Sequence, residues 1–154
     1  LAEERGACPG AADFGIKERF SNKIAIAPTA SISIICGGTS PGIEPFAANS
    51  FTHKTLSGSF TVRNKQLSAL LAKKGRDDDE TWSSVTANEG SIQHLDFLND
   101  DEKAVFKTAF EIDQRWLIEL AADRTPYICQ SQSLNLFLPA DVHKRDLHKV
   151  HFNA

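Results

Sequence analysis

The hexapeptide PTASIS, Pro28 to Ser33, places three hydroxyl side chains and an alanine directly behind a segment with strand alternation. If a helix starts here, its first amides have no intrahelical partner and carry a partial positive charge, an arrangement suited to an anion. Thr29, Ser31 and Ser33 add hydroxyl donors, and Ala30 lets a phosphate oxygen come close to the backbone. The chemistry such a turn supports is the binding of a diphosphate. The plain alternative is that Thr29 or Ser31 is an ordinary helix cap.

Other reactive side chains point to less. His143, His148 and His151 fall on a predicted final helix, and the last two, three apart, would face one metal ion, but no third ligand is evident and solvated histidines are the simpler reading. GGTSPG, Gly37 to Gly42, lacks the lysine and hydroxyl residue of a P-loop and reads as a tight turn. Glu44 and Glu111 have no visible partner and are assigned surface or supporting roles. Trp82, Trp116, Phe106 and Phe110 are read as core. Cys8, Cys36 and Cys129 are an odd, widely spaced set, which suggests reduced structural thiols rather than a disulfide framework or a paired metal site.

The elements that must position the hexapeptide follow from local signals. Leu1 to Arg5 reads as a helix tail ended by Gly6, and the stretch to Asn22 as a connection with one weak helical turn. KIAIA, Lys23 to Ala27, is a predicted strand stopped by Pro28. A short helix follows, and then TSPGIEPFAAN, whose glycines and prolines make it a loop. Ser57 to Asn64 is a predicted strand, and Asn64 caps a helix from Lys65 to Lys74 that ends before Gly75. The carboxylates of RDDDE, Arg76 to Glu80, are expected to be solvated at the start of a helix that carries Trp82 and Val85 and ends at Gly90. Asn99 opens the longest helical stretch, with Val105, Phe106, Phe110, Leu117, Leu120 and Ala121 on one apolar face. Tyr127 to Phe137 is a predicted strand, and a last helix starts at Asp141.

The 154 residues, 41% hydrophobic and 24% charged, suit one core. A net charge of -3 gives no reason to expect nucleic acid or an anionic membrane as partner. No apolar run reaches the roughly 20 residues of a spanning helix, so the expected location is cytoplasmic. The absence of methionine and of a stop signal after the last helix is read as a cut at both ends, which makes residues 1–154 a single incomplete domain.

The segment IAPTASISIICGGTSPGIEPFAANSFTHKTLSGSFTVRN resembles the ribonucleotide reductase large (catalytic) subunit around its substrate-phosphate loop. The likeness continues through TWSSVTANEGSIQHLDFLNDDEKAVFKTAFEIDQRWLIELAADRTPYICQSQSLNLFLPADV and so spans nearly the whole chain. It implies an α/β fold: the C-terminal part of a ten-stranded α/β barrel, with strands alternating with helices. It also implies that Pro28, Thr29, Ala30, Ser31 and Ile32, with Ser33 as neighbour, hold the phosphates of a ribonucleoside diphosphate during reduction to a deoxyribonucleotide. The family's catalytic cysteines match none of the three here, so this chain is expected to hold no catalytic residue and no cofactor. The radical is expected to come from a separate small subunit with a dinuclear metal centre, as in class I rather than the cobalamin-dependent type. Expected partners are therefore the nucleotide, the remainder of the large subunit and the small subunit. The alternative is a non-catalytic phosphate-binding or assembly module, one half of a split enzyme. Unpaired barrel edges lead to the expectation that the piece self-associates.

Overall fold

The computed structural model describes residues 1–56 and 58–153. Ser57, the first residue of a predicted strand, and Ala154, the last of the predicted domain, lie outside the described residues. Short helices α1 (Ala2–Arg5), α2 (Pro9–Ala12) and α3 (Ala30–Ile35) precede an antiparallel hairpin of β1 (Ser50–Thr55) and β2 (Gly58–Arg63). Helices α4 (Lys65–Lys73), α5 (Asp79–Ala87), α6 (Asp100–Val105), α7 (Arg115–Arg124) and α8 (Lys144–Asn153) follow, with 3-10 turns at Ala109–Glu111 and Thr125–Tyr127.

The helix starts obey their side chains. Asn64 accepts from the amides of Gln66 and Leu67, Asp78 from Thr81, and Asn99 forms a reciprocal pair with Glu102. The α4 and α5 faces so fixed meet the 92–98 segment in the main core. There Leu67, Leu71, Trp82, Val85, Ile92, Leu95 and Leu98 are buried together, with Leu70, Phe97 and Phe106 against them. The amide of Asn49 donates to Gly90 O at 3.1 Å, and its side chain donates to Gly90 O at 3.1 Å and Phe106 O at 2.8 Å. Its Oδ1 accepts from Asn64 at 2.9 Å, so one buried amide ties the hairpin to the core.

RDDDE is less idle than its exposure suggests. The Asp77 carboxylate accepts from Trp82 Nε1 at 2.7 Å and Ser68 Oγ at 2.9 Å, and these bonds, that from Trp82 foremost, hold it below the ordinary carboxylate range. A depressed folded-state value stabilises the fold above the unfolded pKa, and the contribution is lost as pH falls through the folded value. Asp77→Asn keeps an acceptor for Trp82 without the charge. Its melting temperature is therefore expected to fall less than that of the parent chain between pH 7 and about pH 3, and equal falls would remove Asp77 from the acid response.

Four expectations are corrected. The stretch from Asn99 is three elements, because the Thr108 amide turns to Glu111 Oε2 at 2.7 Å and the Ala109 amide to Phe46 O at 2.7 Å, ending helical bonding. The single apolar face is accordingly broken: Leu117 and Ala121 are buried, while Val105, Phe110 and Leu120 are exposed, as is Trp116, which was expected in the core. The last helix starts at Lys144, not Asp141, since His143 Nδ1 accepts from the Arg145 amide at 3.1 Å and sits where a cap belongs. Strand β1 went unpredicted, being visible only with its partner β2.

The fourth correction concerns Lys23–Ala27 and Tyr127–Phe137, which form no strand and meet in one parallel bridge between Ile26 and Gln132, Tyr127 itself closing the 3-10 turn. Ile26 N donates to Ser131 O at 3.0 Å and Ser133 N to Ile26 O at 2.8 Å. The next rung needs an amide hydrogen at residue 28, which is proline and has none. On the other side the amides of Lys23 and Ile24 go to the Cys129 sulfur at 2.9 and 3.2 Å instead of to a carbonyl.

Candidate functional site

Pro28 ends the bridge, and Thr29 turns the chain with φ 51° and ψ 28°. A left-handed threonine is disfavoured by about 1–2 kcal/mol and persists where its surroundings over-determine it. Here the Gly42 amide donates to Thr29 Oγ1 at 2.7 Å. Thr29 thus occupies the cap position of α3, yet its side chain does not bond the helix; it fastens the turn to the glycine loop. Gly42 is itself left-handed at φ +59°, with the carbonyls of Ala27 and Pro28 each 3.7 Å from where its Cβ would be.

Beyond that turn the Ser33 amide donates to Thr29 O at 2.8 Å, and Ser33 Oγ donates to Ala30 O at 2.9 Å. Ser33 is buried, so its hydroxyl closes the helical turn from within. The amides of Ala30, Ser31 and Ile32 precede the first available helical acceptor and have no hydrogen-bond partner among the described residues. Ala30 and Ser31 are exposed, as is Ile32 at 57%. No charged residue occurs from Ile24 to Ile43, so the donors that this stretch itself offers an anion are all neutral.

Of the two roles expected for Glu44, surface or supporting, the structure shows the supporting one. Glu44 is 6% exposed, and its Oε1 accepts from both the backbone and the side-chain nitrogen of Asn135 at 2.8 Å. Gln114, also buried, donates to Ala109 O and Ile112 O and accepts from the Phe137 amide at 2.7 Å. The amides of Ser133, Asn135 and Phe137, spaced by two, therefore point to one edge and are met in turn by a carbonyl, a carboxylate and a carboxamide. Side chains complete what a neighbouring strand would otherwise provide. Nothing in the local sequence around Glu44 or Gln114 signals this, since their partners lie 91 and 23 residues away.

The remaining candidates do not converge on this turn. Glu111 serves Thr108 and Ser91; His148 and His151 lie against the Phe152 ring. Among the described residues no group of three or more His, Cys, Asp or Glu could hold a metal ion, and no helix is long and apolar enough to cross a membrane. The three cysteines are free thiols, and Cys129, exposed, is held below the ordinary thiol range by the Lys23 amide and then that of Ile24.

A parallel bridge between two segments joined through helices, ending in a turn with open amides, fits the α/β class. The family model for the ribonucleotide reductase barrel domain matches residues 13–154. The chain belongs to that family. It is 52% identical over 144 residues to a ribonucleoside-diphosphate reductase large subunit of Invertebrate iridescent virus 6, covering 91% of this chain and 15% of that protein. It is 41% identical to the large subunit of Caenorhabditis elegans, covering 78% and 15%. Among solved structures, the class Id ribonucleotide reductase alpha subunit of Actinobacillus ureae superposes with a TM-score of 0.83 at 38% identity, covering 99% of this chain and 27% of that one. The fold is thus a partial segment of the reductase α/β barrel, and the chain spans about 15–27% of the length of these relatives.

Proposed function

We propose that this segment supplies the diphosphate-binding turn of a ribonucleoside-diphosphate reductase large subunit. Pro28 ends the extended segment, the amides of Ala30, Ser31 and Ile32 with the Ser31 hydroxyl bind phosphate oxygens, and Thr29 and Ser33 keep the turn in shape. The carrying observation is the row of three amides, on exposed residues and without a partner among the described residues, on a turn pinned by the Thr29–Gly42 bond. Backbone amides so arranged are preorganised for an anion, because no donor has to leave another partner to bind it.

Reduction itself is assigned to the remainder of the large subunit. The radical that starts it comes, on this reading, from a separate small subunit carrying a dinuclear metal centre, as in class I. This chain's contribution is to hold and orient the nucleotide by its phosphates, in the cytoplasm. Mixing the chain with a large-subunit piece carrying the radical cysteine, plus small subunit and reductant, is expected to restore deoxyribonucleotide formation. No product from a soluble, associated mixture would count against the assignment.

A second reading, an assembly module of a split enzyme, draws on the edge opposite the one already satisfied. The amides of Gln132, Leu134 and Leu136 have no partner among the described residues, and strand-like backbone left open pairs with other chains. Sedimentation of the 154-residue chain is accordingly expected to show mass rising with concentration. A clean monomer at high concentration would set this reading aside.

A further inference from the structure

The bonds around the turn close into a ring. From Ile26 the chain runs through Pro28 to Thr29; Thr29 Oγ1 accepts from Gly42 at 2.7 Å; two residues on, Glu44 Oε1 accepts twice from Asn135; and Ser133, two residues back from Asn135, donates to Ile26 O at 2.8 Å. The three backbone stretches of the ring, 26–29, 42–44 and 133–135, are short, and the first two are stiffened by a proline and a left-handed glycine. The only closure made by a long side chain is Glu44. We propose that Glu44 is a positioning residue for the diphosphate turn, setting the height of the Gly42 amide, and through Thr29 the direction of the Ala30–Ile32 amides, by its double acceptance from Asn135.

This rests on the diphosphate reading above and adds to it a residue that need not touch the ligand. What Glu44 contributes is an acceptor at a fixed point, not its charge. Both groups it accepts from are uncharged amides, no lysine or arginine pairs with it among the described residues, and an anion placed nearby gains nothing from a buried carboxylate. Glutamine has the same length and the same acceptor oxygen. Alanine has neither, and it leaves both Asn135 donors without their partner. Gln114 offers the matching control. It holds the same extended segment at Phe137, two residues beyond Asn135, but it is not part of the ring.

The test is a phosphorus NMR titration of the full 154-residue chain with ADP and, separately, inorganic pyrophosphate, with melting temperatures recorded for every variant. Glu44→Ala is expected to weaken both ligands by about tenfold or more, while Glu44→Gln stays within about threefold of the parent, the difference being one lost acceptor. Gln114→Ala is expected to lower the melting temperature yet bind within about threefold of the parent. Unchanged binding in Glu44→Ala overturns the positioning role while leaving the diphosphate turn in place. Equal losses in Glu44→Gln and Glu44→Ala, or in Gln114→Ala and Glu44→Ala, overturn it too, the first by showing that charge matters and the second that stability does. If the parent chain binds neither ligand, the diphosphate reading fails and this inference falls with it. Should Gln114→Ala not fold, the two Glu44 variants decide alone.

Discussion

Gly90→Ala is expected to destabilise the fold by about 2 to 5 kcal/mol, combining a left-handed penalty of about 1–2 with an overpacking penalty of about 1–3. Gly90 has φ +81°, and an added Cβ would stand 2.4 Å from Ala48 Cβ, 2.8 Å from Ala48 Cα and 2.9 Å from Asn49 N. These are mostly backbone atoms or atoms fixed to it, so relief requires the chain at 48–49 to move. Movement there draws Asn49 away from Gly90 O, which accepts from both its nitrogens, and disturbs the bonds from Asn49 to Phe106 and from Asn64 to Asn49. Urea unfolding followed by tryptophan fluorescence, with the buried Trp82 as the main reporter beside the exposed Trp116, reads the effect. A midpoint equal to the parent's would mean that the close approach of the two segments is relaxed in solution.

Ser31→Glu is expected to abolish diphosphate binding while sparing the fold. A carboxylate in the first turn of α3 is favourable to the helix by about 0.3–1 kcal/mol, and Ser31 is exposed, so no packing is lost. The same carboxylate competes for the amides of Ala30, Ser31 and Ile32 and repels an incoming phosphate. Losing two charge-assisted hydrogen bonds, each about 1.5–3 kcal/mol, lowers affinity by about a hundredfold or more. Titration with a nucleoside diphosphate, in this chain or in a complete large subunit carrying it, reads the loss. Undiminished binding at an unchanged melting temperature would move the site away from this turn.

What could be read directly from residues was what neighbours in the chain decide. Asn64, Asp78 and Asn99 start their helices because a short polar side chain meets amides two or three residues on, and Pro28 stops its ladder because it has no hydrogen to give. The resemblance to the reductase barrel also lay wholly in the letters, in the stretches from Ile26 to Asn64 and from Thr81 to Val142, and it was the family found by comparison. The candidate turn was legible as a set of residues but not as a geometry: nothing in PTASIS says that the Thr29 hydroxyl would face Gly42 or that Ser33 would turn inward.

Only the tertiary structure decided which extended segments found partners and which polar groups went inside. Lys23–Ala27 and Tyr127–Phe137 carry strand alternation, but a ladder is made between stretches a hundred residues apart, and here a thiol, a carboxylate and a carboxamide take most of its places. Exposure of Trp116, Phe110 and Val105 had the same origin, since the helix expected to bury them together is cut by the Ala109 amide reaching Phe46 O. The physical reason is range. Caps, turns and proline act across two to four residues and are written in the local sequence, whereas pairing and burial depend on groups brought together by folding, whose positions no local pattern contains.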